Sequence, residues 1–305
     1  MSFLSVRVTN IQMKGIDMQI ENIEAADLVG KYEANSPEWH DLRKGKIGGS
    51  MVGTIAGLNK WESPYTAWAK FTGKISDIIP DNPAMEWGRR LEDVVIDKFQ
   101  DNHPDMFILR DCGTWVNKQR PYQLANPDGL IEVNGEVAVL EIKTARYPDD
   151  WADGVPLYYL TQVQWYMSCL GIDKAYVAVL ISGSDYREYE IPADKFQQDA
   201  DIELVEKFLA AVENDTAPDW DGSESTYQTL REMHPEIQDN EVELGQLGAD
   251  LIRAMENQQQ IEQHTKMLKS KVIATMGLAK RGLVAGEHVF SRQARGTGRP
   301  FLVKK

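Results

Sequence analysis

Residues 125–143 read ANPDGLIEVNGEVAVLEIK, and the fold and the chemistry both hinge on them. Asn134-Gly135 is the dipeptide of a two-residue hairpin turn, and the flanking runs are aliphatic and β-branched enough to be strands. Side chains two apart on a strand share a face. Glu141 and Lys143 therefore project together while Ile142 faces the core. Asp128 stands at a Pro-Asp-Gly turn where the first strand begins, and a hairpin about residues 134–135 sets it alongside Glu141. Two carboxylates and a strand carbonyl form an oxygen-rich site suited to Mg²⁺ or Mn²⁺. A lysine beside such an ion can orient and help deprotonate an attacking water, while the ion neutralises charge on a phosphate. Taken separately, Pro-Asp-Gly is a common turn and Glu-x-Lys a common exposed pair. Within VAVLEIK they mean more, because burying Glu and Lys without a purpose is costly.

Outward from this hairpin, strand patterns also occur in GTWVN, YQLAN, AYVAVLI and REYEI. Helices are expected at Ser36-Pro37-Glu38, after Gly48-Gly49-Ser50 and at Ser63-Pro64, where capping residues and first-turn prolines coincide. Residues 83–101 are the best helix of the first half, with Trp87, Leu91, Val94, Val95, Ile96 and Phe99 as an apolar stripe. Residues 156–170 and 192–214 read as two more helices. Trp39, Trp87 and Trp165 are expected to pack. The opening stretch, 1–35, reads as an arm or edge element that includes an acidic helix candidate. The core spans 36–214, a linker 215–240, and a helical, basic extension 241–305. Within it, residues 241–276 have the pattern of a solvent-flanked or coiled helix, and the Gly-rich basic end could close as a hairpin.

Composition narrows the class. Hydrophobic residues make up 42% and charged ones 26%, ordinary for a globular protein. Neither a membrane-spanning apolar run nor a signal-peptide core is visible, so a cytoplasmic protein with no membrane partner is expected. Cys112 and Cys169 make no zinc pattern and no disulfide framework; buried thiols are expected. The net charge of −14 is unevenly spread: residues 199–262 hold 17 Asp or Glu against three Lys or Arg, and residues 266–305 hold ten Lys or Arg against one Glu. Whole-chain acidity thus leaves room for a local basic path along nucleic acid.

The chain resembles the PD-(D/E)xK nuclease superfamily, and within it the YqaJ-type, lambda exonuclease-like viral recombinases. Five landmarks carry the resemblance, in family order, between residue 37 and about 213: EWHDLRKGKIGGS (38–50), WGRRLED (87–93), ANPDGL (125–130), LEIK (140–143) and TQVQWYM (161–167). It implies an α/β core with a mixed central sheet flanked by helices. It implies Asp128 and Glu141 as metal ligands with the Ile142 carbonyl as a third, and Lys143 as the catalytic lysine. Glu92 matches a helical carboxylate approaching the metal, and Gln162, in a Q-x-x-x-Y pattern ending at Tyr166, a glutamine supporting the site. Arg43 and Ser50 match positions that hold the 5′ phosphate of the strand being cut.

The implied function is a Mg²⁺-dependent 5′→3′ exonuclease on linear duplex DNA ends, with Mn²⁺ able to substitute. It would leave a 3′ single strand for an annealing protein of phage or prophage origin. A trimeric ring is the oligomer the resemblance favours. Two rivals stand beside this: a structure-specific or nicking endonuclease on the same core, and a non-catalytic DNA-end-binding accessory. After about residue 215 the chain departs from the family pattern.

Overall fold

The computed structural model describes residues 23–32, 36–78, 81–133 and 135–305. It divides into two compact units, up to Glu236 and from Ile237 to Lys305.

The first unit is built on the hairpin. Strand β5 (Gly129–Val133) pairs antiparallel with β6 (Glu136–Ala145), from Gly129 opposite Leu140 to Val133 opposite Glu136. That register leaves two residues for the turn, as Asn134-Gly135 requires, and Gly135 has φ 83°. The other sheet strands are β2 (Phe107–Arg110), β7 (Lys174–Ile181) and β8 (Asp185–Pro192), in the order β2-β5-β6-β7-β8. The β6–β7 pair is parallel and the rest antiparallel. This is the mixed α/β sheet that was expected. Helix α5 (Leu157–Leu170) lies in the crossover that a parallel pair needs.

The two faces of the sheet carry separate cores. On one, helix α4 (Pro83–Asn102) sets Val95, Ile96 and Phe99 against Ile131, Leu140, Ile142 and Ala178. The other side is larger: Val137, Val139, Val177 and Val179 meet Val163, Trp165, Met167 and Leu170 of α5 and Val205 and Phe208 of α6 (Lys195–Glu213). Each such fully buried aliphatic side chain contributes roughly 1.5–3 kcal/mol. Helix α5 is buried on most of its circumference and ends at Gly171, whose φ of 69° suits a left-handed cap. Ahead of these lie α1 (Pro37–Arg43), α2 (Gly49–Ile55) and α3 (Pro64–Phe71). Ser36 and Ser63 cap α1 and α3 as the sequence indicates, accepting from the amides of Trp39 and Thr66.

The structure departs from the sequence reading in identifiable places. Trp87 and Val94 lie on the solvent side of α4, which buries only Val95, Ile96 and Phe99, so Trp87 is not a packing residue. Strand β2 was missed because Phe-Ile-Leu-Arg is short and has no period-two alternation. YQLAN gives only β4 (Leu124–Ala125), joined to β3 (Thr114–Asn117) and β1 (Ala26–Gly30) in a second small sheet. The arm reading of 1–35 falls mostly on residues 1–22, outside those described, and its described part is the edge strand β1. Within 215–240, read as a linker, α7 (Glu224–Met233) packs on α3 through hydroxyls. Thr66 bonds Ser225 and Thr229, and Ser63 bonds Thr226. Leu230 and Met233 also pack on the core, but these few apolar side chains sit in a Ser/Thr-rich, charged stretch whose composition alone suggested a loop.

The second unit holds the 32-residue helix α8 (Gly245–Met276), none of whose residues is buried. Three strands follow, β9 (Arg281–Val284), β10 (Glu287–Gln293) and β11 (Phe301–Lys304), forming an antiparallel sheet with β10 at its centre. The basic end is thus one strand richer than a hairpin. Among the described residues no helix is long and apolar enough to cross a membrane.

Candidate active site

Strand β6 delivers the buried half of the site. Glu141 is 2% exposed and belongs to the face that packs on α5, while Ile142 belongs to the α4 side. Its Oε1 accepts hydrogen bonds from Lys143 Nζ at 2.5 Å and from Gln162 Nε2 at 2.5 Å. Lys143 Nζ also donates to Gln162 Oε1 at 3.2 Å and lies 4.6 Å from the centroid of the Tyr159 ring. Gln162 Nε2 further donates to the Tyr166 hydroxyl at 3.1 Å. Tyr159, Gln162 and Tyr166 occupy one face of α5 at helical spacing. The glutamine so braces both catalytic candidates of the strand at once.

Asp128 supplies the other half. Its Oδ2 accepts from the Ile142 amide at 2.7 Å, so the carboxylate caps the strand edge where β5 has just begun. Glu92, on α4, approaches closely enough for its charge and that of Asp128 to oppose each other. Burial, then the Asp128 charge, pushes Glu141 up to about 8. Burial, then the charges of Asp128 and Asp93, lifts Glu92 to about 7. Asp128 is raised too, through burial, against the pull of Lys143 and the Ile142 amide. Burial works to lower Lys143, but Glu141 and Asp128 prevail, and the amine is held above the ordinary lysine range.

A cleft of about 480 Å³ opens beside Asp128, lined among others by Trp39, Arg43, Ser50, Glu92, Asn126 and Tyr166. Arg43 lies over the Trp39 ring at 4.2 Å and donates to Asn126 Oδ1 at 3.5 Å. Among the described residues no carboxylate is within ion-pairing distance of it. Burial lowers its pKa, yet a guanidinium remains charged at any physiological pH. Ser50 stands in the first turn of α2. Two glycines let that helix press against α5: a Cβ on Gly49 would come 2.6 Å from Tyr166 Cε1, and one on Gly53 2.9 Å from Tyr158 Cβ. The close approach sets Ser50 beside the part of α5 that holds Gln162 and Tyr166.

The sequence-derived residues thus fall into two adjoining sets. Asp128, Glu92, Arg43 and Ser50 line the open cleft, while Glu141, Lys143 and Gln162 form the hydrogen-bonded cluster behind Asp128. Among the described residues no three His, Cys, Asp or Glu side chains lie close enough to hold an ion by themselves. A cation here would depend on two carboxylates completed by a backbone oxygen. Glu141 fits that use: its Oε2 is buried and has no hydrogen-bond partner, and an unpaired buried oxygen of this kind is expensive unless something occupies it. Sequence reasoning missed Asn126, which holds Arg43, and Tyr159. The first could have been found in its motif ANPDGL, the second from its i, i+3 spacing to Gln162. Cys112 and Cys169 are buried free thiols, as expected, and burial pushes Cys169 up to about 12.

Residues 38–173 match the model of the YqaJ-like viral recombinase domain. Protein YqaJ of Bacillus subtilis (strain 168) is 32% identical over 263 residues, which cover 83% of this chain and 77% of that protein. The chain belongs to the YqaJ-like viral recombinase family. Two solved structures show some likeness. One is the alkaline exonuclease LHK-Exo from Laribacter hongkongensis, with TM-score 0.49, 21% identity, and coverage of 59% of this chain and 94% of that one. The other is a phage-related exonuclease from Haemophilus somnus 129PT, with TM-score 0.43, 12% identity, and coverage of 56% and 96%. All five sequence landmarks lie on elements that build the cleft or the cluster behind it; of WGRRLED, within α4, Glu92 and Asp93 line the cleft.

Proposed function

We propose that this YqaJ-like chain is a divalent-metal-dependent DNA nuclease that digests linear duplex from its 5′ ends. The single observation that carries the reading is the Glu141–Lys143–Gln162 cluster, buried and mutually hydrogen-bonded directly behind Asp128 at the edge of an open cleft. Asp128 and Glu141 would hold the ion. In an antiparallel pair a residue's N–H and C=O point to the same neighbouring strand, so the Ile142 carbonyl faces the side on which Asp128 receives the Ile142 amide. It is the natural third oxygen, with Glu92 close by. When bound, Mg²⁺ or Mn²⁺ would polarise the phosphate and lower the pKa of water at the site.

The chain's own residues do the rest. Lys143, kept protonated by Glu141 and Asp128, orients a water for attack and offsets charge as the phosphate gains a fifth oxygen. Gln162 fixes both partners of that pair, so the lysine head cannot swing away. Arg43, charged and without a carboxylate partner among the described residues, is placed to take a terminal phosphate together with the Ser50 hydroxyl. Digestion from 5′ ends leaves a 3′ single strand, which is what a strand-annealing protein in the host cytoplasm would use.

The test is digestion of duplex carrying a label on one 5′ or one 3′ end, beside a closed circle. The reading expects mononucleotide release from the 5′ end of the linear form and an intact circle. Nicking of the circle would favour the endonuclease alternative, and binding without cleavage the accessory one.

A further inference from the structure

We propose that α8 pairs with α8 of a second copy of this chain as an antiparallel two-stranded coiled coil. The helix has 32 residues and buries none of them. Yet it is not polar all round: Leu247, Leu251, Ile261 and Leu268 are between 45% and 70% exposed. An isolated helix has little stability of its own in water and draws most of it from packing an apolar face. Ile252, Met255 and Met267 are open as well, off the line those four share; apolar side chains left this open mark a surface built to be covered.

The spacing says how. Numbered in heptads, the seam positions are 247, 251, 254, 258, 261, 265, 268, 272 and 275, and six of the nine are Leu, Ala, Ile or Val. A sustained three-four alternation is the pattern of knobs packing into a partner helix. Charge identifies the partner and its direction. The helix up to Glu262, with Asp250, Glu256 and Glu262 against Arg253, is acidic. Past Glu262 the helix carries Lys266, Lys269 and Lys271 and no acid, and Lys280 and Arg281 follow. A parallel pair, dimeric or trimeric, would set acid beside acid and base beside base. An antiparallel pair sets each half against its opposite. In the register that keeps apolar opposite apolar, Leu251 meets Leu268 of the second copy and Leu247 meets Val272. Asp250 then flanks Lys271 across the seam. Gln258 falls next to Ile261 near the centre, a polar seam residue of the kind that fixes register at some cost in stability. In such a pair the basic carboxyl end of each chain, residues 277–305, lies where its partner's helix begins.

Light scattering of the full-length protein at micromolar concentration, read without DNA or metal, tests this independently of any nuclease activity. A mass of two chains is expected. Reversing the basic half (Lys266→Glu, Lys269→Glu, Lys271→Glu) should give a single-chain mass, and so should reversing the acidic half (Asp250→Lys, Glu256→Lys, Glu262→Lys). An equimolar mixture of the two variants should recover the two-chain mass. Direction is read by oxidation: the Leu251→Cys, Leu268→Cys double variant should cross-link into a covalent dimer. Leu251→Cys alone should not, because the two copies of position 251 would stand about 25 Å apart at 1.5 Å per residue. Native Cys112 and Cys169 are buried and leave that readout clean. A single-chain or three-chain mass for the unmodified protein overturns the proposal. So does a two-chain mass that survives either charge reversal, failure of the mixture to recover it, or cross-linking through position 251 alone.

Discussion

At the scale of single residues, the site joins three acids that burial makes hard to ionise to one amine that two of them, Glu141 and Asp128, keep charged. Without a divalent ion, Glu141 and Glu92 hold protons near neutrality, at about 8 and about 7. A carboxyl whose folded pKa lies above its unfolded value makes the folded state bind more protons. Its contribution to stability is then full below the unfolded pKa, near 4.3, and is lost as pH rises toward the folded value. In EDTA, therefore, urea-unfolding midpoints should fall between about pH 5 and 8, and Glu141→Gln should flatten that fall. Saturating Mg²⁺ should flatten it as well, because the ion binds the ionised form. A midpoint independent of pH in EDTA would refute the electrostatic picture. Lys143→Met should leave DNA binding intact while cutting turnover by about 10²–10³, the range for a lost charge-stabilising donor. Arg43→Ala should erase preference for 5′-phosphorylated over 5′-hydroxyl ends; a charge-assisted contact of about 1.5–3 kcal/mol corresponds to roughly ten- to a hundredfold. Equal preference in variant and wild type, measured by competition between the two ends, would remove Arg43 from that role.

At the scale of elements, the hairpin β5–β6 was readable because everything that defines it is local: a turn dipeptide, alternating faces and an ionisable pair on an apolar strand. Asp128, Glu141 and Lys143 came with it. Arg43 and Ser50 could be named from their motif, but their route to the cleft could not, because it depends on helix–helix contact. Gly49 and Gly53 make that contact. Gly53→Val should separate α2 from α5, costing about 1–3 kcal/mol through overpacking, and should weaken cleavage through the displaced Ser50; thermal unfolding and turnover, measured together, check it. Likewise α7 was hidden because much of its packing is through hydroxyls, with only Leu230 and Met233 packing on the core, and Trp87 was misplaced because an apolar stripe wider than the buried face looks the same in sequence. On α6, Asp201 is 2% exposed with Oδ2 unpartnered, and burial lifts it to about 6. Asp201→Asn should stabilise the protein above pH 6 and change nothing below pH 4; a loss of stability at pH 8 would contradict this.

At the scale of the whole molecule, the proposed DNA substrate is a polyanion, and an acidic chain that grips it must concentrate its cations. Arg43 does so in the cleft, and residues 266–305, with ten Lys or Arg against one Glu, do so at the carboxyl end. A chain truncated after Glu236 should keep the landmarks and cleave, but bind duplex more weakly and with a shallower salt dependence. Each lost phosphate contact should reduce the log–log slope by about 0.9; an unchanged slope would mean that the basic end does not touch DNA. The trimeric ring implied by resemblance and the two-fold pairing of α8 differ in mass, so the same light-scattering measurement separates them. The most direct test of the central claim remains the chemistry. Linear duplex, end-labelled and 5′-phosphorylated, is incubated with the full-length protein and with Lys143→Ala in Mg²⁺, Mn²⁺ or EDTA. The expected result is nucleotide release by the unmodified protein with either metal, none in EDTA, and almost none from Lys143→Ala although it binds the duplex. Wild-type turnover by Lys143→Ala, or release in EDTA, would contradict the assignment of this site.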